Sequence, residues 1–458
     1  MNPHIFRQYD IRGIAEQDLT DDAVRLIGQA IAAYLVRVRH VEKPKLVLGR
    51  DIRPSSERIR AALVNALRVS GVSIVDVGIV TTPICYFSIT SLDTTGGVMI
   101  TGSHNPPEYN GLKIIIGRSA IFGEGIQELK HIIEAKSFVT GKSTLEAAET
   151  ISAYRAHLKK SFQFRRSLKV VVDSGNGTAG LIAPHVVRDL GHDVIELFSE
   201  PDSRFPHHHP DPTVVENLED AIRKVRETKA DVALAFDGDA DRIGVVDHEG
   251  SIVWGDKLLI LFSRAILKEH PGATFVADVK CSDLFFEDVK QHGGRAIMWK
   301  TGHSLIKQKL FEEKALLAGE MSGHMFFADR YYGYDDGLYA GLRVLEIMDQ
   351  SGKHLPELLE DVPKTYATPE IRVACPDEEK FEVVRRTTDY FDGRYPTTLI
   401  DGVRINFGDG WGLVRASNTQ PVLVTRFEAR SQKRLEQIRS LVEGKINDFS
   451  RASRRSSS

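Results

Sequence analysis

One stretch concentrates reactive groups: Thr101-Gly102-Ser103-His104-Asn105-Pro106-Pro107, continuing through Tyr109-Asn110-Gly111-Leu112-Lys113. Ser103 supplies a hydroxyl nucleophile, His104 follows it directly, and Lys113 is close in sequence, so the hydroxyl sits near groups that move protons. The apolar run Gly97-Val98-Met99-Ile100 reads as a strand delivering the serine to a turn at its carboxyl end, the edge where open α/β sheets bind ligands. Two prolines, an Asn-Gly pair and Gly102 predict a rigid turn whose backbone N–H groups are free to face an anion. A surface turn that happens to contain serine is the plain alternative, and the length of the string counts against it.

A second apolar run, Val232-Ala233-Leu234-Ala235-Phe236, ends in Asp237-Gly238-Asp239-Ala240-Asp241-Arg242. Carboxylates at alternate positions of an extended loop can converge on a hard cation such as Mg²⁺. Without a cation their clustering costs repulsion. An EF-hand fails here, because its glycine position holds Arg242 and its final glutamate position holds His248. A charged hairpin turn is the bland alternative. A strand ending in DxD also fits phosphatases of the haloacid-dehalogenase type, which would make Asp237 the nucleophile, although that pattern asks for Thr or Val where this chain has Asp241.

Other strings add polar chemistry. Glu320-Met321-Ser322-Gly323-His324 offers a carboxylate, a hydroxyl and an imidazole, a set suited to vicinal sugar hydroxyls. Arg415-Ala416-Ser417-Asn418-Thr419, between two strand-like runs, is a phosphate cradle or an ordinary polar turn. Gly175-x-Gly177-x-x-Gly180 follows a strand and precedes Glu196, which matches a dinucleotide fingerprint and keeps a nicotinamide oxidoreductase in view. Neighbouring side chains in an extended arm diverge, so His207-His208-His209 reads as a structural or peripheral arm rather than a metal site. There is no GxxxxGK[ST] loop, and Ser103 is not in a GxSxG elbow.

Taken together and in order, from Tyr9-Asp10-Ile11-Arg12-Gly13 to the Arg415 loop, these strings resemble the α-D-phosphohexomutases, in particular their bacterial phosphomannomutase/phosphoglucomutase branch. The resemblance implies a four-domain, heart-shaped α/β architecture with three mixed-sheet α/β domains and a C-terminal α+β domain. The expected spans are 1–148 with a phosphoserine loop, 149–251 with a metal loop, 252–365 with a sugar-recognition loop, and 366–458 with a phosphate loop.

It further implies Mg²⁺-dependent interconversion of hexose 1-phosphate and 6-phosphate, of mannose or glucose, through phospho-Ser103 and a hexose 1,6-bisphosphate. Ser103, Asp237, Asp239 and Asp241 would hold the metal, with Arg242 as a further counter-charge. His104, Lys113 and Arg12 are the proton-transfer candidates, and a lysine base would need a lowered pKa. Tyr9, Lys280 and His303 match cleft positions of that family. Glu320, Ser322 and His324 would grip the sugar, with Met321 typical of the mannose/glucose branch. Arg415, Ser417, Asn418 and Thr419 would hold the phosphate not being transferred. The family's metal loop more usually reads DGDGDR; Ala240 departs from it, at a cost of about 1 kcal/mol if that position needs positive φ. A sugar-phosphate sensor that binds without turnover is the non-enzymatic alternative.

The rest of the chain accommodates these loops. At 458 residues it predicts several domains rather than one core. A charged fraction of 27% and a net charge of −3 suit a soluble enzyme and argue against a general nucleic-acid binder. Cys85, Cys281 and Cys375 form no CxxC pair, which speaks against zinc or a disulfide framework. No apolar run reaches the ~18 residues of a membrane span. MNPHIFRQYD lacks a signal-peptide pattern, so a cytoplasmic monomer is expected, without membrane or nucleic-acid partners. Periodicity predicts a helix capped by Thr20, strands at Leu46–Leu48, Val72–Val77, Asp193–Leu197, Thr274–Ala277, Ala296–Trp299 and Ala315–Ala318, helices between them, and a Pro- and charge-bearing link near Leu355–Thr368.

Overall fold

The computed structural model describes residues 1–117, 119–417 and 421–456, with side chains to residue 450. Four sheets follow one another along the chain. The first has Lys45–Arg50 at its centre, parallel to Gly96–Ile100 on one side and Ser73–Ile79 on the other. The central four residues of Lys45–Arg50 are buried, because helices cover both faces, as parallel strands require. Tyr109–Ile116 then runs antiparallel to Gly96–Ile100 and carries Ile11–Ile14 at the edge. This hairpin return is what brings Lys113 back under the Ser103 turn. Leu145–Ala147 adds a short parallel edge strand to Ser73–Ile79.

The second sheet is parallel through Asp193–Leu197, Lys169–Asp173 and Val232–Phe236, then antiparallel through Ile243–Asp247. The third is parallel through Arg295–Trp299, Thr274–Asp278 and Leu317–Gly319, then antiparallel to Met325–Phe327. The fourth is wholly antiparallel, built on Gly410–Ala416 and Val422–Ala429, with the helices Asp377–Phe391 and Gln432–Ser456. Helix, strand and loop fall close to the expected pattern, with two shifts. The strand expected at Val72–Val77 runs Ser73–Ile79, and the one expected at Ala315–Ala318 is Leu317–Gly319. Both have small or bulged ends where periodicity is weakest: the first shifts register at Leu48/Gly49 of its partner.

One apolar core runs through the first three sheets, from Val47 and Ile84 through Val170 and Phe236 to Phe275 and Leu345. The first sheet has another beneath its second face, around Ile27, Leu63 and Ile100. The fourth sheet keeps a core of its own, around Val383, Phe391 and Phe427. The carboxyl ends of the central strands of the first three sheets all open on the same cleft. No helix is long and apolar enough to cross a membrane among the described residues.

Candidate active site

The Ser103 turn is held in a strained shape by side chains beneath it. Ser103 has φ +50°, outside the usual range for a residue with a Cβ. Its amide donates to Thr101 Oγ1 at 2.8 Å, Gly102 N donates to Asp51 Oδ2 at 3.0 Å, and Asn105 N donates to Gly102 O at 3.0 Å. These amides fix the loop, which corrects the expectation that they are free to face an anion. The main tie is Arg53, 3% exposed, which follows the strand Lys45–Arg50. Its guanidinium donates to the carbonyls of Ser103 (2.9 Å), Asn105 (2.6 Å), Tyr109 (3.0 Å) and Pro106, and pairs with Asp51. A Cβ on Gly102 would lie 2.3 Å from that guanidinium, so only glycine fits.

The acidic loop approaches from the second sheet. Ser103 Oγ donates to Asp237 Oδ2 at 2.9 Å, and Oγ lies 3.1 Å from His104 Nδ1. A Cβ on Gly238 would stand 2.4 Å from the Ser103 carbonyl oxygen, so glycine permits the two loops to touch. Asp237, Asp239 and Asp241 are fully buried, with one oxygen of each within 4.8 Å of the others. Thr82 Oγ1 donates to Asp239 at 2.6 Å, and Lys113 Nζ sits 2.7 Å from Asp239 and against Asp241. Asp239 Oδ1 and Asp241 Oδ1 take no hydrogen bond, although both are buried. Three buried carboxylates that converge on one point, two of them with an oxygen that takes no hydrogen bond, suit Mg²⁺.

The charges divide as the geometry dictates. Burial, Asp241 and Asp239 push Asp237 well above the carboxylate range. Burial and Asp241 push Asp239 up, but Lys113 outweighs them and holds it low. Burial works to lower Lys113, yet Asp239 and Asp241 raise it. The lysine is therefore a fixed cation, contrary to what a general base needs. Burial, Arg242 and Arg12 depress His104 well below the imidazole range, so it is neutral. Arg12 pairs with Asp10 at 2.5 Å, and its Nε is buried without a hydrogen-bond partner. Ala240 has φ +63°, so its methyl carries the left-handed cost expected of it.

The third sheet supplies the facing wall. Glu320 accepts from Gly302 N at 2.7 Å and pairs with His324 Nδ1 at 2.9 Å. His324 Nε2 lies 3.3 Å from Asp241 and 3.2 Å from Arg242 Nε. Burial and Arg242 lower this imidazole, but Asp241 and Glu320 prevail and raise it to about 9. Ser322 Oγ is 3.3 Å from His324 Nδ1. His303 is held neutral by burial, Lys113 and His324. Tyr9 OH donates to Thr301 O at 2.7 Å, tying the first domain to the third. Lys280 Nζ lies 3.1 Å from Glu370 and 3.6 Å from Asp278. Arg415 pairs with Asp401 at 2.9 Å, and Asp401 also accepts from Thr301 N at 3.1 Å. The Ser417 carbonyl accepts from Lys380 at 2.6 Å; Asn418 and Thr419 lie outside the described residues.

Two strings turn out to be packing. A Cβ on Gly180 would lie 2.0 Å from the Ser199 carbonyl oxygen, and Glu196 is paired with Arg188. A 3₁₀ turn, Thr178–Leu181, precedes the helix Ala183–Asp189 rather than the helix opening directly. The histidine arm is structural but not peripheral. His208 pairs with Asp173 at 3.1 Å, His207 Nδ1 is 2.8 Å from Asn176, and His209 Nε2 meets the His104 carbonyl behind the serine turn. Sequence reasoning missed Arg53, Thr82, Asp278, Asp335, Lys307 and Asp401. Arg53 had a signal, its place just past a strand's carboxyl end; Thr82 and Asp401 are set by pairings across domains, and Asp278, Asp335 and Lys307 by ion pairs within the third.

Comparison with known proteins agrees with this layout. Models of phosphoglucomutase/phosphomannomutase α/β/α domains I, II and III match residues 3–140, 151–250 and 254–366, and the C-terminal domain model matches 370–445. A phosphomannomutase/phosphoglucomutase of Pseudomonas syringae pv. tomato is 45% identical over 443 residues, 96% of this chain and 95% of that protein. A phosphoglucomutase of Neisseria gonorrhoeae is 44% identical over 444 residues, 95% of each. The crystal structure of a phosphoglucomutase/phosphomannomutase family protein from Burkholderia thailandensis superposes with a TM-score of 0.91 at 40% identity, covering 98% of both chains.

Proposed function

The chain belongs to the phosphoglucomutase/phosphomannomutase family, and from that membership and the layout of its cleft we propose how its residues share the reaction. It is a mutase, an isomerase that moves a phosphoryl group reversibly between the 1- and 6-positions of a hexose phosphate. In our reading both mannose and glucose phosphates are accepted, and phospho-Ser103 is the donor. Its P–Oγ bond breaks as the free sugar hydroxyl forms a new P–O bond and loses its proton. The resulting hexose 1,6-bisphosphate turns over in the cleft, and its other phosphoryl returns to Ser103 Oγ. The observation that carries this is the Ser103 Oγ to Asp237 Oδ2 hydrogen bond of 2.9 Å, which joins nucleophile and acidic loop.

Mg²⁺ held by Asp237, Asp239, Asp241 and the Ser103 oxygen would draw charge from the transferring group. Lys113 balances the acidic loop and is not the base. Neutral His104, 3.1 Å from Ser103 Oγ, relays the proton: it takes the one the sugar hydroxyl releases and gives it to Ser103 Oγ as the phosphoryl leaves, and it carries the serine's proton back to the sugar oxygen when the enzyme is rephosphorylated. Arg12 is permanently charged, so its free Nε serves phosphate binding rather than proton transfer. Arg242 is a second counter-charge. Glu320, Ser322 and protonated His324 hold the sugar hydroxyls, with Tyr9 and His303 lining the cleft. Lys280, Arg415, Ser417, Asn418 and Thr419 grip the phosphate that stays. Substrate displaces the carboxylates now facing Lys280 and Arg415, and the fourth domain closes over it. In our reading the protein works as a cytoplasmic monomer.

Phosphate mapping tests this assignment. Acid-stable, base-labile phosphate on the Ser103 peptide, lost on brief exposure to glucose 1-phosphate with Mg²⁺, is the expected result. A hydroxylamine-sensitive phosphate on Asp237 would overturn it and make the aspartate the carrier.

A further inference from the structure

Asp335 and Asp336 are adjacent, buried and differently employed. Asp336 caps the helix Gly337–Ser351 by accepting from Tyr339 N at 2.9 Å, and it accepts the hydroxyls of Tyr154 and Tyr331, each at 2.7 Å. That carboxylate is fully used by the fold. Asp335 is 0% exposed, yet neither of its oxygens accepts a hydrogen bond.

The nearest groups to Asp335 are cationic or imidazole, with the Asp241 carboxylate a little further off. Lys307 Nζ lies 2.8 Å from Oδ1, as an ion pair out of hydrogen-bond alignment. His303 Nδ1 is 3.8 Å and His324 Nε2 is 4.0 Å from Oδ2. Lys307 is itself 2% exposed, with Nζ 4.1 Å from the centre of the Tyr86 ring. A buried ion pair with imperfect geometry returns less than its desolvation costs, so stability alone does not account for it. The oxygens of Asp241 and Asp335 and a nitrogen of His324 lie within 4.8 Å of one another, a spacing a second cation would accept. Lys113, Lys307 and Arg242 crowd that space with positive charge and disfavour one.

We propose that Asp335, with Lys307 as its counter-ion, is a positioning residue that fixes the ring orientations of His303 and His324 against the cleft. This rests on the reading above, in which those histidines face the hexose. Oδ2 of Asp335 lies within 4.0 Å of a nitrogen of each ring, and the ring centroids are 5.6 Å apart, so one charge acts on both. It acts on them by charge, at 3.8 and 4.0 Å, rather than by accepting a hydrogen bond as the carboxylates that orient liganding histidines elsewhere do, whose removal costs roughly 10- to 100-fold in activity.

The test compares wild-type protein, Asp335→Asn and the double variant Asp335→Leu/Lys307→Met, with glucose 1-phosphate as substrate and glucose 1,6-bisphosphate and Mg²⁺ present. For Asp335→Asn, which keeps the shape of the side chain, kcat is expected to fall about 10- to 100-fold while KM stays within about threefold. The double variant removes both buried charges and is expected to melt near the wild-type temperature without regaining kcat. Turnover by Asp335→Asn within about threefold of wild type overturns the proposal. So does a loss confined to KM, or a double variant that regains kcat together with its melting temperature. If the double variant does not fold, Asp335→Asn decides alone. A wild-type protein that failed to interconvert the two phosphates would count against the mutase assignment instead.

Discussion

The first three domains and the fourth are joined to the site by different forces. Val47, Phe236, Phe275 and Leu345 belong to one apolar core that crosses the first three sheets, and the Ser103 and Asp237 loops stand on it. The fourth domain, with its separate core, meets the third through a small apolar contact of Val279 with Trp411 and Leu413 and, around it, through polar groups. Arg404 donates to the Cys281 carbonyl at 2.8 Å, pairs with Asp283 at 2.7 Å and stacks 3.7 Å over Trp411. Ser282 donates to Glu428 at 2.6 Å, and Lys280 meets Glu370 at 3.1 Å. Apolar burial is close-packed and resists sliding, whereas ion pairs can be exchanged for a ligand's charge. In the proposed mechanism the chemistry therefore sits where the molecule is rigid, and phosphate recognition where it can yield.

Variants can break or sharpen that contrast. Ser103→Ala should abolish the phosphoenzyme and lower turnover by at least about 10³-fold, read by steady-state rates and phosphate mapping, with the melting temperature little changed. Arg53→Ala strikes the rigid half, leaving Asp51 and several carbonyls unpaired. A loss of about 3–5 kcal/mol in denaturant unfolding is expected, with reduced kcat. A stable, active Arg53→Ala protein would show that the serine turn needs no such tie.

The two halves should also fail at opposite ends of the pH scale. His324 is raised from the ordinary 6.5 to about 9, so its contribution is full below 6.5 and is lost as pH climbs through 9. Glu370 rises through burial but is pulled by Lys280 and Arg372 from 4.5 down to about 2, so its contribution is present above 4.5 and is lost as pH falls towards 2. Thermal melts across pH should show both slopes, His324→Gln flattening the alkaline one and Glu370→Gln the acid one.

In kinetics Glu370→Gln should be mild. By freeing Lys280 it should lower KM for hexose 1-phosphate by about threefold at low salt with kcat nearly unchanged, since only ground-state binding is altered. A fall in kcat would place Glu370 in the chemical step. The smallest effect is expected of Ala240→Gly, which relieves a left-handed alanine and should gain less than about 1 kcal/mol in denaturant unfolding. A loss would mean that the methyl's packing outweighs its strain.

Much of this was legible in local strings. The two reactive loops follow apolar strands, and each carries its chemistry within a few residues: Ser103 with His104, and the alternating Asp237, Asp239 and Asp241. The limits came from partners that no window of sequence contains. Lys113 looked like a possible base until the acidic loop, more than a hundred residues away, was found around its amine. His207-His208-His209 looked marginal because nothing nearby in the chain shows that His209 will brace the His104 carbonyl. The glycine string copied a cofactor signature because close backbone approach needs glycine whether the neighbour is a pyrophosphate or the Ser199 carbonyl.

By itself, the order of residue types determined the α/β alternation, the placing of reactive loops at strand ends, and the family. Strand periodicity and turn chemistry are short-range properties, written within a dozen residues. Only the tertiary structure decided which groups are charged, which amides are already taken, and which buried carboxylate caps a helix while its neighbour faces two histidines. Charge state and hydrogen-bond occupancy depend on burial and on partners brought from distant parts of the chain. Asp335 and Asp336 are adjacent in sequence and alike in chemistry, and the packing around each carboxylate makes them different.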